Sequence, residues 1–500
     1  MARAAPAELC YDSKLPPQPQ GQRRADDAHN VSSTFGMLGE ELVVHSTQGG
    51  RHVDLVEHKA VDGGEAPGLL EWWNVAMIQL AEVVGMAILT MPVAFAQLGW
   101  IPSLALLAIN GAGSVFVGYA LRRAKLMFPG ANSFTLMAKY TTGSTAFVLL
   151  VRVFTVTVLF IAVSGYLMSI AQALPMVFLS AEVSAPVWAL AAAGTLLLCF
   201  PVRSLGGRPV AIMMWFNALS IAAVVIACVA VLLSSMSEQH AVHPARTELF
   251  ATGMTWVSFF TGASQISTAF LGQFVFLEVM DEMREPDDFM KSFRLSLPFQ
   301  LGAYLICGCV GYAYMGAQAR DSIIKELSPY THATVLQVVA ILLIFHMMSA
   351  YLINGLVLCR KVHKTFSPNT FYAQSRKAWA IWLAVCFAVV GISYIIINVV
   401  PSFGWLMGIA GSLVSPSLMY IFPLIFWTQG ARVTQQNADD VEVISNPSRV
   451  AIVLLSLWAF TLLFAGTAAS FTSAADAFSE GQTPFAFIPT SYFDTYNATA

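Results

Sequence analysis

WWNVAMIQLAEVVGMAILTMPVAFAQLGW, residues 72–100, is a hydrophobic stretch long enough to cross a membrane, and it carries its own interruption. Val83-Val84-Gly85-Met86-Ala87 places a glycine among small and β-branched residues at mid-depth, about two turns before Pro92, so a continuous helix is weakened there. Unpaired backbone N–H and C=O groups are costly in lipid and survive at that depth only where they line a cavity. A broken first helix therefore marks a candidate binding site, because half-helix ends offer free amides to an anion and free carbonyls to a cation. Glu82 stands immediately before the break.

The composition places the whole chain in the same class. Of 500 residues, 57% are hydrophobic and 11% charged, with a mean hydropathy of +0.66, which is the balance of an all-α polytopic membrane protein embedded in a lipid bilayer. A net charge of −3 does not speak to partners, since charge in such chains informs by location, and nothing supports nucleic-acid binding. Residues 1–67 are polar, rich in Pro, Gln, Gly and His, and lack the apolar core of a signal peptide; they read as a disordered cytoplasmic tail. Residues 68–472 read as the transmembrane domain and 473–500 as a tail on the far side.

After the broken first span, apolar runs recur at Ser103–Leu121, Ala146–Pro175, Pro186–Phe200 and Pro209–Ser234. The sixth, Phe250–Met280, is again interrupted, at Phe270-Leu271-Gly272-Gln273-Phe274. Further runs follow at Phe299–Met315, Ala333–Cys359, Ala378–Val399, Pro401–Trp427 (with Gly408, Gly411, Ser412 and Pro416 inside it) and Val450–Phe471. Two glycine-interrupted spans at corresponding places in two halves are what an inverted repeat predicts. Arg122-Arg123-Ala124-Lys125, Arg203 with Arg208, and Arg360-Lys361 with Lys364 fall on one side; only Arg246, Arg320 and Lys325 fall opposite, and Arg152 lies within a span. The positive-inside rule then gives about eleven helices, amino terminus cytoplasmic and carboxyl terminus extracellular or lumenal.

No metal or redox centre is expected. His240 and His243 read as solvated loop histidines, and Cys307 and Cys309 turn toward different faces of one helix. Cys10 lies in the tail and the other cysteines lie in or at the ends of spans, so no outer pair can form a disulfide. Asn497-Ala498-Thr499 is a glycosylation sequon at the extreme carboxyl end. Without a clustered His, Cys or acidic constellation the chain is not read as an enzyme, and paired broken helices with few lining charges describe an occluded site better than a channel.

Several motifs, in order, resemble the amino acid/auxin permease family. They are Gly85-Met86-Ala87-Ile88-Leu89-Thr90-Met91-Pro92 with Ala94 to Trp100, Phe200-Pro201 with Arg203-Ser204-Leu205, Ala269 to Gln273 leading to Asp281 to Phe289, Gly311-Tyr312 through Gly316, and Pro401 to Gly404 with Gly411 and Pro423. Ala81-Glu82 and the Glu282-to-Phe289 run are most similar to the fungal neutral and aromatic amino acid permeases. Ala87 stands where that pattern has a second glycine, and Gln273 where it usually has a histidine. The resemblance implies a LeuT-type architecture: a 5+5 inverted repeat with helices 1 and 6 discontinuous, an eleventh helix, and secondary transport by alternating access.

An α-amino acid suits those breaks. Its carboxylate would meet the amides of Gly85, Met86, Ala87 and Ile88, and its ammonium the carbonyls near Val83, Val84, Phe270, Leu271 and Gly272. Its side chain would meet Phe270, Phe274, Phe160 and Ser164, an apolar set that favours a neutral substrate. Three roles are open to Glu82: a proton carrier, a partner for a cationic substrate, or a structural acceptor capping the unwound amides. His346, Ser349 and Ala350 share one face of the eighth span. By resemblance Ser349 matches a sodium-binding hydroxyl, with the backbone oxygens of Ala81 and Val84 opposite. His346 either titrates, which suits a proton, or is simply packed and hydrogen-bonded. The expectation is a symporter of neutral amino acids coupled to H+ or Na+, with no cofactor, in the plasma membrane rather than a vacuolar or lysosomal one; the alternative is an amino acid sensor on the same fold. Oligomeric state and the particular amino acid are not legible in the sequence.

Overall fold

A computed structural model describes residues 70–83, 85–199, 219, 222–223, 225–226, 229–230, 246–319, 332–371, 375–400, 403–437, 444–479, 484–485 and 491–494. The expected tail 1–67, Val84, most of the fifth span, the loop with His240 and His243, and Asn497 lie outside the described residues, as do the side chains of Ala81, Glu82, Val83 and Met86.

Both expected breaks are present. The first span is two helices, α1 (Trp72–Val83) and α2 (Met91–Leu98), joined through Gly85 and a 3-10 turn, Met86–Thr90. Pro92 stands in the first turn of α2, where its missing N–H removes no helical bond. After α3 (Trp100–Met127) comes α4 (Phe134–Thr142), which the hydropathy pattern does not announce; Ser133 caps its start and Gly143, at φ +62°, ends it. Then follow α5 (Thr145–Val177) and α6 (Ala185–Cys199). The sixth span is also two helices, α7 (Trp256–Thr268) and α8 (Phe276–Asp281), the first opened by a Thr255–Ser258 capping box. The remaining spans are α9 (Pro286–Met315), α10 (Ala333–Phe366), α11 (Arg376–Val399), α12 (Gly404–Gln435) and α13 (Asn446–Asp476). Seven described helices are long and apolar enough to cross a membrane, and two shorter apolar helices lie at Ala87–Leu98 of the broken first span and Ala185–Leu198 of α6.

The helices overrun the apolar runs at their basic ends. Arg122 and Lys125 ride on the last turns of α3, and Arg360, Lys361 and Lys364 on those of α10, where cations also suit the negative helix end. The last helical segment continues to Ser479, past the expected boundary at 472. Beyond it, Phe485 N donates to the Asn398 carbonyl at 3.0 Å, tying that part of the carboxyl tail to the end of α11.

Packing joins the two halves of the chain. α1 lies on α9, α2 on α7, and α3 on α12 and α7, while α5 packs along α10 and against α6 and α11. At the basic end, Leu70 N donates to the Glu282 carbonyl at 3.1 Å and Arg284 N to the Leu70 carbonyl at 3.0 Å, the single β-bridge among the described residues. Ion pairs reinforce it: Lys125–Asp281 (2.6 Å), Arg122–Asp287 (2.8 Å), Lys361–Glu278 (3.0 Å) and Arg284–Glu71 (3.4 Å). At the opposite end, Trp100 N and Ile101 N donate to the Glu248 and Leu249 carbonyls, and Ala251 N to that of Leu98. Gly99, at φ +85°, makes this crossing possible, since a Cβ there would lie 2.7 Å from Ala251 N.

Candidate functional site

The two helix breaks meet at a cavity. Ala87 of the first break and Leu271 and Phe274 of the second line it, together with Thr268 at the end of α7. α5 contributes Val158, Ile161, Ala162 and Tyr166, and α12 contributes Met407 and Ala410. No charged side chain lines the cavity among the described residues.

The backbone supplies the polarity. The 3-10 turn Met86–Thr90 has no side-chain cap, so its leading amides have no intrahelical partner and offer hydrogen bonds toward an anion. In the second break, two backbone groups are engaged by side chains. The Ala269 carbonyl accepts from Tyr304 Oη at 2.6 Å and Gln300 Nε2 at 3.1 Å, both on α9. Gly272 N donates to Gln273 Oε1 at 3.0 Å, while Gln273 Nε2 donates to Ser114 Oγ of α3 at 3.0 Å. Among the described residues the Phe270 and Leu271 carbonyls carry no such bond and remain as acceptors for a cation.

The candidate residues are distributed unevenly around this geometry. Ala87, Leu271 and Phe274 line the cavity, with Gly85 and Ile88 buried in the adjoining turn. Gly272 does not line the cavity, and both of its backbone groups are engaged, the N–H by Gln273 Oε1 and the carbonyl by Val275 N at 3.3 Å. The Phe270 ring, 1% exposed, turns away to stack edge-on against Tyr304 at 5.6 Å. Phe160 and Ser164 share a closed bond within α5, Ser164 Oγ donating to the Phe160 carbonyl at 2.7 Å, and neither lines the cavity. The wall of α5 is instead the face at 158, 161, 162 and 166, about a third of a turn round. The backbone of Ala81 and Glu82 is helical in the last turn of α1.

His346 and Ser349 are buried on α10, against α5, and do not line the cavity. Ser349 Oγ donates to the Phe345 carbonyl at 3.0 Å, which spends its proton and leaves its lone pairs as acceptors. Among the described residues no three His, Cys, Asp or Glu side chains are grouped to hold a metal. Thr268, Tyr166, Met407 and Ala410 belong to the site without having been singled out from the sequence; the run of Gly408, Gly411 and Ser412 was the one sign that α12 approaches another helix closely.

A family model described as "Transmembrane amino acid transporter protein" matches residues 69–469. The chain belongs to that family. The transporter is 23% identical over 375 residues to the N amino acid transport system protein of Neurospora crassa, which covers 74% of this chain and 78% of that one. It is 26% identical over 184 residues to a transmembrane transporter of Fusarium pseudograminearum, covering 35% of this chain and 37% of the relative. Among solved structures it is similar to the inward-facing conformation of Mhp1, with a TM-score of 0.52 and 11% identity over 87% of this chain and 95% of that chain. That likeness shows the fold, a LeuT-type inverted repeat, into which the transporter's two broken helices fit.

Proposed function

We propose that this family member moves neutral amino acids by alternating access, coupled to H+ or to Na+. The observation that carries the reading is the cavity between the breaks: residues of both breaks border a space whose lining side chains, among the described residues, bear no charge. A zwitterion's carboxylate and ammonium are both matched there by backbone dipoles, whereas a charged side chain would enter an apolar pocket without a partner. The name of the Neurospora relative, an N amino acid transport system protein, supports amino acid transport. By the charge distribution we place residues 1–67 and the basic helix ends on the cytoplasmic side, and we propose the plasma membrane as the site of action.

For the coupling ion we propose Glu82 as the carrier on a proton route and Ser349, with His346 beside it, as the site on a sodium route, Glu82 then being a structural cap of the break. Uptake of labelled neutral amino acids into proteoliposomes under an imposed pH or sodium gradient separates them. Accumulation driven by the pH gradient and abolished by Glu82→Gln supports the proton route. Sodium-driven accumulation that survives Glu82→Gln and is lost in Ser349→Ala moves coupling to α10. Binding without accumulation under either gradient contradicts transport and favours a sensor.

A further inference from the structure

We propose that α12 sets the side-chain specificity of this transporter, with Met407 and Ala410 forming the wall against which an aliphatic substrate side chain packs; the inference rests on the neutral amino acid reading above. Met407 and Ala410, three residues apart, both face the cavity from α12. Val158, Ile161 and Ala162 of α5, which packs against this part of α12, line the same cavity. A wall built from two alanines, two β-branched side chains and one unbranched thioether suits a flexible aliphatic group, and methionine adapts its shape to what it meets.

The position of this wall is fixed by the sixth-helix break. The Thr268 hydroxyl lies 2.9 Å from the Ser264 carbonyl and 3.1 Å from the Met407 carbonyl, sharing its proton between α7 and α12. One turn on, Gly411 rests directly on α7, where any Cβ would overlap the Ser264 carbonyl and the Thr268 hydroxyl. The helix also takes a wide, π-type turn over Ala410–Val414, which rotates its face relative to a regular α-helix. These two contacts to α7 thus hold Met407 and Ala410 in the cavity wall beside the sixth-helix break. In such a pocket one methylene is worth about tenfold or more in discrimination.

The test is competition by glycine, alanine, valine, leucine, methionine and phenylalanine against a labelled neutral amino acid in proteoliposomes. Ala410→Leu is expected to weaken competition by leucine, methionine and phenylalanine at least tenfold while alanine and glycine change by less than about threefold. Met407→Ala is expected to shift the ranking about fivefold or more toward phenylalanine. An unchanged ranking in Met407→Ala overturns the proposal, as does an equal loss for small and large substrates in a folded Ala410→Leu protein. If Ala410→Leu does not fold, Met407→Ala decides alone. Absence of neutral amino acid uptake by the wild type would instead defeat the transport reading, so the two failures are distinct.

Discussion

A methyl group on Gly311 would sit 2.5 Å from Cγ of Pro92, and one on Gly308 would sit 2.6 Å from the Phe95 ring. α9 therefore touches α2 with nothing between them, just above the first break. Gly311→Ala is expected to push the two apart and destabilise the protein by about 1–3 kcal/mol, the usual cost of overpacking, readable as a lower melting temperature in detergent. Gln273 acts differently. It closes the Gly272 amide with its oxygen and holds Ser114 with its nitrogen, so Gln273→Leu leaves a buried N–H without an acceptor at a cost of about 1–3 kcal/mol. Because that amide belongs to the break, substrate affinity should fall along with stability, which a binding isotherm at fixed temperature resolves. At this scale the sequence was only partly legible. α5 is apolar all round, with a mean hydropathy of 2.6 over its core window, so no stripe fixes its rotation, and Phe160 and Ser164 cannot be told from Ile161 and Ala162 by pattern.

Elements carry the closure of each end. Lys125 is 6% exposed and donates to the Pro129 and Ala131 carbonyls as well as to Asp281, joining α3 to the end of α8. Asp281→Leu leaves that ammonium without its counter-ion and should lower stability by about 1–3 kcal/mol. Lys125→Met added to Asp281→Leu should recover much of the loss, because an unpaired buried charge costs more than an absent pair. At the other end, hydrogen bonds from the Thr252 side chain and amide hold the Glu248 carboxyl below its ordinary value of 4.5. A depressed carboxylate stabilises the fold above its unfolded pKa and loses that contribution as pH falls through the lowered folded value. Hydrogen exchange in residues 246–252 should thus be steady, after correction for intrinsic rates, from neutral pH to about 4.5 and rise only below it. Glu248→Gln should abolish that step. The breaks in the first and sixth spans were legible because glycine, β-branching and proline act locally. The wide turns at Ile306–Val310, Ala410–Val414 and Ser417–Ile421 were not, since each shifts the helical register through tertiary contact, and with it the faces of α9 and α12.

Across the molecule, what the sequence carries best is the repeat itself: apolar length, charge asymmetry and two interruptions in corresponding places require no tertiary information, and they lead to the LeuT-type fold. What it carries least is the pairing of α7 with α12, set by Gly411 on Ser264 and by the Thr268 bridge, contacts between residues distant in the chain. The central claim is that a cavity between two helix breaks, lined without charge among the described residues, selects amino acids that are neutral overall. The most direct measurement is competition by neutral, cationic and anionic amino acids of similar length, such as leucine, lysine and glutamate, against a labelled neutral amino acid in proteoliposomes. Leucine should compete at least tenfold more strongly than lysine or glutamate, since a charged side chain must be desolvated without a partner. Equal or stronger competition by lysine or glutamate would contradict the account.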